Sequence, residues 1–217
     1  MTRNASTCVA DSNEWGGLGN RILVVLSNMV LAHHYNLTLC IHDRSVAKLF
    51  GHVCRCTRRQ TRVLTPAALR TGFVTDWWIA EQRFSPLHTH ITQSLPALRM
   101  RPIDIGCRIY AAVQMRTRYD TFVTVPRVGE HCVFVTADNY STERVVQRAM
   151  RKRGHLVHTA SRVGIGRSLP YSNAAANKTA ILHIWRILAQ AHTLVYTRRS
   201  TFGLTAAFFA HRTIAVG

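Results

Sequence analysis

Four short stretches carry residue types suited to a phosphorylated ligand. The first is Gly16-Gly17-Leu18-Gly19-Asn20-Arg21, followed at once by the apolar run from Ile22 to Ala32. Its glycines permit positive φ and close backbone approach, and Asn20 also tolerates a left-handed turn. A glycine-rich turn that opens a helix aims unpaired N–H groups at an anion. The same turn also serves as a plain strand-to-helix connection, and both readings are open. It is not the dinucleotide fingerprint G-x-G-x-x-G, because position 22 is Ile. The other three are Arg116, Asp138 and Ser200-Thr201, each just past an apolar run of strand character. A guanidinium at a strand end offers a bidentate fork to phosphate.

The elements that must position these residues are legible as alternating runs. Arg108 to Arg116 reads as a buried strand ending in a polar loop, and His131 to Asp138 as a second. Thr142 to Arg151 reads as a helix with Thr142 as its cap. Leu156 to His158 is a short strand, Ala174 to Ala191 a long helix, and Thr193 to Thr197 a further strand. Ser200 opens a last helix through His211, followed by the strand Thr213 to Val216. Strands alternating with helices predict a parallel sheet with right-handed crossovers. Ligands of such sheets bind at the carboxyl ends of the strands, so Arg116, Asp138 and Ser200-Thr201 converge on one edge.

The first hundred residues are less regular. Residues 1–14 are a polar tail or first strand, 20–35 a helix, and Leu37 to Ile41 an alternating strand. His33-His34 reads as part of a polar helix stop, because neighbouring helical residues face different ways and suit a shared metal poorly. Residues 44–62 are basic and read as a solvated face. Residues 66–103 contain Pro66, Pro86, Pro96 and Pro102 and read as short helices and loops ending in a linker. Trp77-Trp78 within them suits a core or an acceptor groove.

Composition bounds the partners. The chain has 217 residues, room for one domain or two small ones, and 47% are apolar, which excludes disorder. The formal net charge is +18, from 28 basic and 10 acidic residues, and the excess is arginine, since the only lysines are Lys48, Lys152 and Lys178. That charge favours a polyanionic or phosphorylated partner. A basic nucleic-acid-binding protein is the alternative from another class. Against it, the basic stretch lacks stacking aromatics apart from Phe50, and no nucleic-acid motif is present. Six cysteines permit disulfides, and Cys54-Arg55-Cys56 is too closely spaced for a zinc pair. Asn4, Asn36, Asn139 and Asn177 each begin an N-glycosylation tripeptide. Cysteines and acceptors together lean toward a secretory lumen. The run from Ile22 to Ala32 is too short for a bilayer span, which takes roughly 20 apolar residues, and no targeting segment is visible.

In order along the chain, Gly16-Gly17-Leu18-Gly19-Asn20-Arg21, Ala112-Val113-Gln114-Met115-Arg116, Phe134-Val135-Thr136-Ala137-Asp138 and Ser200-Thr201-Phe202-Gly203 resemble motifs of a known family. This is the fucosyltransferase superfamily that includes the α1,2-, α1,6- and protein O-fucosyltransferases. The likeness is nearest to the plant xyloglucan-type branch, which shares Gln ahead of the motif arginine and a Ser-Thr-Phe-Gly element. It covers residues 14–42 and 105–217, as a compact or truncated member would. The resemblance implies an α/β fold of GT-B type, with two facing Rossmann-like halves built on parallel sheets. Residues 1–103 would carry the glycine motif and the acceptor side, and residues 104–217 would bind the donor.

The same resemblance implies an inverting glycosyltransferase that moves fucose from GDP-fucose to a glycan or glycoprotein acceptor, without a metal or other cofactor. Arg116 would hold the β-phosphate and act catalytically. Gly17, Gly19, Asn20, Arg21, Gln114, Asp138, Ser200, Thr201 and Phe202 would bind the donor. His183 stands where relatives carry the acidic residue that reads the guanine edge, so a degenerate copy without activity is the rival within the family. No D-x-D occurs in the chain, which agrees with a metal-free reaction. Glu14 and Asp120 are the candidates for a base. The family location implied is the Golgi or another secretory lumen, with membrane attachment only through an anchor outside this chain.

Overall fold

The computed structural model describes residues 8–10, 17–34, 38–41, 43–50, 61–62, 103–116, 127–162, 175–198 and 200–217. The chain divides into two compact units, Met1–Met100 and Arg101–Gly217. Gly16, Glu14, Trp77-Trp78, Asp120, Cys54, Cys56, Asn4, Asn36 and residues 66–102 lie outside the described residues.

The first unit holds β1 (Cys8–Ala10), α1 (Leu18–His34), β2 (Thr38–Cys40), α2 (Arg44–Phe50) and β3 (Thr61–Arg62). Its three strands are parallel in the order β2-β1-β3, with Val9 opposite Leu39 on one side and Arg62 on the other. Ile22, Val25, Leu26 and Met29 of α1 are buried at helical spacing. The helix begins at Leu18, with Gly17 O accepting from the N–H groups of Asn20 and Arg21 at 3.0 and 3.2 Å. Gly19 and Asn20 are therefore helical and not part of a left-handed turn. Among the described glycines, positive φ occurs at Gly106, Gly154 and Gly217 only. The expectation that this stretch uses its conformational freedom is corrected for Gly17, Gly19 and Asn20.

The second unit is a five-stranded, wholly parallel sheet in the order β6-β5-β4-β7-β8. Its elements are β4 (Tyr110–Met115), β5 (Cys132–Ala137), α3 (Tyr140–Lys152), β6 (Leu156–His158), α4 (Ala175–Ala189), β7 (Thr193–Thr197), α5 (Thr201–Ala207) and β8 (Arg212–Val216). Every residue of β4, β5 and β7 is buried. Strands buried along their whole length in this way are covered on both faces. On one face, Val146 and Met150 of α3 pack with Ala111, Val113, Met115, Val133, Val135, Val157 and Val195. On the other, Tyr110 donates through its hydroxyl to Ile187 O at 2.8 Å, satisfying a carbonyl of the last turn of α4. Burial pushes the Tyr110 phenol above its ordinary range, so it stays a protonated donor. Trp185 Nε1 donates to Thr205 Oγ1 at 3.0 Å, joining α4 to α5.

Several boundaries differ from the sequence expectation. Asn139, not Thr142, caps α3: its side chain accepts from Thr142 N at 2.9 Å and from the Ser141 hydroxyl at 2.7 Å. Both are good capping residues, and the helix simply starts two residues earlier. The Asn139 amide nitrogen donates to Asp138 Oδ1 at 3.2 Å, so the side chain that would carry a glycan is engaged in the fold. Asn177 lies within α4. The last helix ends at Ala207, short of His211, and β8 begins at Arg212. Cys107 and Cys132 form a disulfide, and Cys40 is also disulfide-bonded. Among the described residues no helix is long and apolar enough to cross a membrane.

Candidate functional site

Numbered from β4, the sheet order of the second unit is 3-2-1-4-5. This is the doubly wound arrangement in which the chain reverses direction across the sheet between its first and fourth strands, here β4 and β7. In sheets of this topology ligands bind past the carboxyl ends of the strands at the reversal point. β4 delivers Arg116 there, and β7 delivers Thr197 and Arg198.

Backbone and side-chain bonds lace this edge together. Arg116 N donates to Thr197 Oγ1 at 2.8 Å across the reversal point. Asp138 N donates to Met115 O at 3.2 Å, tying the end of β5 to the end of β4. Arg198 N donates to Val216 O at 2.9 Å, which holds the end of β7 to β8. Arg116 and Asp138 are half-buried, and Arg198 is exposed. The edge therefore offers two guanidinium groups and one carboxylate, anchored by strands whose register is fixed on both sides. Such a set can grip a phosphate through arginine and accept hydrogen bonds from a neighbouring polar group through Asp138.

Four further residues support the edge from below. Ser200 is 1% exposed, and its Oγ accepts from Gly203 N at 3.2 Å as the cap of α5. Its oxygen serves the fold as an acceptor, and the O–H donor is a separate function of the same hydroxyl. Ser200 N donates to Thr197 O at 2.8 Å, which turns the chain directly from β7 into the helix. Gln114 is 5% exposed and lies beneath α5, against Gly203. Thr201 and Phe202 are half-buried in the first turn of α5.

The remaining residues singled out from sequence lie elsewhere. His183 is half-buried in α4, and the bonds above do not reach it. Gly17, Gly19, Asn20 and Arg21 belong to the first unit. There Arg21 pairs with Asp43 at 2.5 Å, with side-chain exposures of 16% and 6%. Asp43 Oδ1 also accepts from Val46 N at 3.3 Å at the start of α2. Arg21 therefore has an ion-pair role inside its own unit, linking α1 to α2.

The chain is similar in fold to a fucosyltransferase of known structure. Two solved structures of NodZ alpha-1,6-fucosyltransferase superimpose on it with a TM-score of 0.51 each. One, co-crystallized with GDP, is 11% identical and aligns over 98% of this chain and 95% of its own; the other, soaked with GDP-fucose, is 13% identical and aligns over 97% and 94%. No family model and no curated protein matches the sequence. At this identity the likeness is one of fold, and residue roles rest on the local geometry.

Sequence reasoning missed Thr197 and Arg198. Both sit at the end of a run already read as a strand, so the strand-end rule that selected Arg116 and Asp138 would have found them. Asp43 was missed because nothing in a local pattern announces an ion pair between two helices.

Proposed function

We propose that the chain is a fucosyltransferase using GDP-fucose as donor, with its two units forming the two halves of a GT-B enzyme and the Arg101–Gly217 unit holding the nucleotide sugar. The observation that carries this reading is the placement of Arg116 at the reversal point of the sheet, fixed to Thr197. The GDP and GDP-fucose forms of the fold neighbours support the choice of donor.

In this reading Arg116 grips the β-phosphate. As the glycosidic bond breaks, negative charge accumulates on the departing GDP, and a preorganised guanidinium stabilises it at the moment it forms. Asp138 accepts hydrogen bonds from the nucleoside. Attack by an acceptor hydroxyl on the opposite face of the sugar inverts the anomeric centre. No metal is required when arginine neutralises the leaving group, and the acceptor is a glycan or glycoprotein.

The deciding experiment is donor hydrolysis and transfer measured across GDP- and UDP-sugars, with and without a chelator. Turnover of GDP-fucose that survives EDTA is the expected result. Turnover of a UDP-sugar only, or activity lost to EDTA and restored by Mn²⁺, would overturn the reading. A second reading, a donor-binding copy without transfer, is favoured by His183, since imidazole pairs less well with the two donors of a guanine edge than a carboxylate does. GDP binding without any turnover would select it.

A further inference from the structure

At the amino end of the second unit's sheet, three metal-ligating side chains from three separate places meet. Cys107 precedes β4, Cys132 is the first residue of β5, and His158 is the last residue of β6. Their ligand atoms all lie within 4.8 Å of one another, with Cys132 buried and the other two half-buried. Cys107 Sγ is 3.5 Å from His158 Nε2. The sheet register sets this up, since Cys132 pairs with Leu156 and Phe134 with His158. Parallel partners point to the same face, so Cys132 and His158 emerge on one side.

We infer that, when the Cys107–Cys132 disulfide is reduced, Cys107, Cys132 and His158 form a binding site for a divalent zinc-like cation. Two thiolates and an imidazole are the ligand set of a borderline-soft, tetrahedral metal, and not of magnesium or calcium. Zinc bonds of about 2.3 Å to sulfur and about 2.0 Å to nitrogen at the tetrahedral angle set the two ligand atoms ~3.5 Å apart. The separation of Cys107 Sγ and His158 Nε2 already matches. The Cα atoms of the two cysteines are 6.5 Å apart, within reach of one ion by side-chain rotation alone. Three protein ligands leave the fourth position to water.

The redox balance is simple. An external reductant supplies two electrons, either two thiols that become one external disulfide or a phosphine that becomes its oxide with oxygen from water, and two protein thiols are left. Zinc then displaces both thiol protons to solvent. The site therefore exists in the reduced protein only, and it lies at the opposite end of the strands from Arg116. It does not depend on the proposed transferase activity.

The test uses the full chain reduced with a phosphine, and cobalt(II) as a spectroscopic stand-in for zinc. The expected result is a thiolate-to-cobalt charge-transfer band in the reduced protein and none in the oxidised one. His158→Gln should weaken cobalt binding at least tenfold, and Cys107→Ser with Cys132→Ser should remove the band that His158 governs. Cys8, Cys40, Cys54 and Cys56 are present in every variant, so the difference between variants isolates this cluster. A cobalt affinity unchanged by His158→Gln would overturn the inference. Alkylation of the wild-type reduced protein needs no variant: zinc should slow modification of Cys107 and Cys132 at least tenfold, read by peptide mass spectrometry. Equal rates with zinc and with chelator would overturn it too, as would unfolding on reduction that zinc does not reverse.

Discussion

A side chain at Gly203 would collide with Gln114: a Cβ placed there falls 2.6 Å from Gln114 Oε1 and 2.6 Å from Tyr196 Cβ. A Cβ atom essentially never comes this close to a non-bonded heavy atom. The Gln114 amide is the far end of a flexible side chain and can move. Tyr196 Cβ is fixed to a central strand and cannot. The first turn of α5 therefore lies directly on β4 and β7 at the edge that carries Arg116 and Thr197.

Gly203→Ala should destabilise the protein by about 1–3 kcal/mol, the cost of overpacking a filled core. Shortening Gln114 in the same chain should recover only part of that, since the Tyr196 clash stays. Calorimetric melting of the single and double variants measures both. A melting temperature for Gly203→Ala equal to wild type would show that α5 does not rest on the sheet this closely.

The second prediction concerns Arg21 and Asp43. The pair is largely shielded from water, so removing one partner strands the other. Asp43→Asn should cost roughly 3 kcal/mol, the lower end for breaking a buried pair, while Arg21→Met combined with Asp43→Asn should cost less than the sum of the two single changes. Urea titrations give the cycle. Arg21→Met also separates its two roles: turnover per folded molecule stays at the wild-type level if Arg21 is a strut, and falls if it also meets the donor.

Much of the second unit was legible because its central strands are mostly apolar runs, with Gln114, Thr136, Thr193 and Thr197 as the polar exceptions. Tyr110 to Met115, Cys132 to Ala137 and Thr193 to Thr197 are buried on both faces, and no amphipathic pattern competes with a strand reading. Parallel pairing followed from the helices between them. What stayed hidden depends on contacts distant in sequence. The glycine of Ser-Thr-Phe-Gly is required by Tyr196 Cβ on β7, seven residues away in sequence but met only through the packing of α5 on the sheet. The hydroxyl of Ser200 reads as a phosphate ligand, and its acceptor role toward Gly203 N as the cap of α5 is not visible in the sequence. Arg21 reads as a motif arginine, and its ion pair with Asp43 is not announced by any local pattern. In the first unit the glycine run resembles a left-handed turn, yet α1 begins before that freedom is used. The first turn of α1 buries Leu18 and, one turn on, Ile22, which local glycine chemistry does not reveal.

His183 gives the third prediction. If the half-buried His183 face of α4 meets the guanine, His183→Asp should tighten GDP binding by about 1–2 kcal/mol, the scale of a charge-assisted hydrogen bond gained. Titration calorimetry with GDP reads this directly. An unchanged dissociation constant would place the base elsewhere, with Asp138 at the sheet edge as the residue to change next.

The fourth prediction rests on Arg116. Its backbone is fixed by the bond to Thr197 Oγ1 and by the pairing of β4 between β5 and β7. The side chain leaves a strand end half-buried, where a ligand can reach it. Lysine keeps the charge but loses the planar fork, so Arg116→Lys is not conservative at a bidentate site. It should lower turnover of GDP-fucose at least about tenfold, roughly 1.4 kcal/mol of transition-state stabilisation. Arg116→Ala should cost on the order of 3 kcal/mol, as the loss of one preorganised donor to a developing oxyanion does. Thr197→Val probes the same edge without touching charge: it removes the acceptor for Arg116 N and should reduce turnover by loosening the arginine's backbone. Both Arg116 variants should melt close to wild type, because the side chain lies at the edge and not in the core. Melting curves and turnover measured side by side separate a ligand-binding arginine from a structural one. An Arg116→Ala protein that unfolds early yet turns over donor normally in its folded fraction would assign the arginine to the fold and remove the phosphate site from the sheet edge.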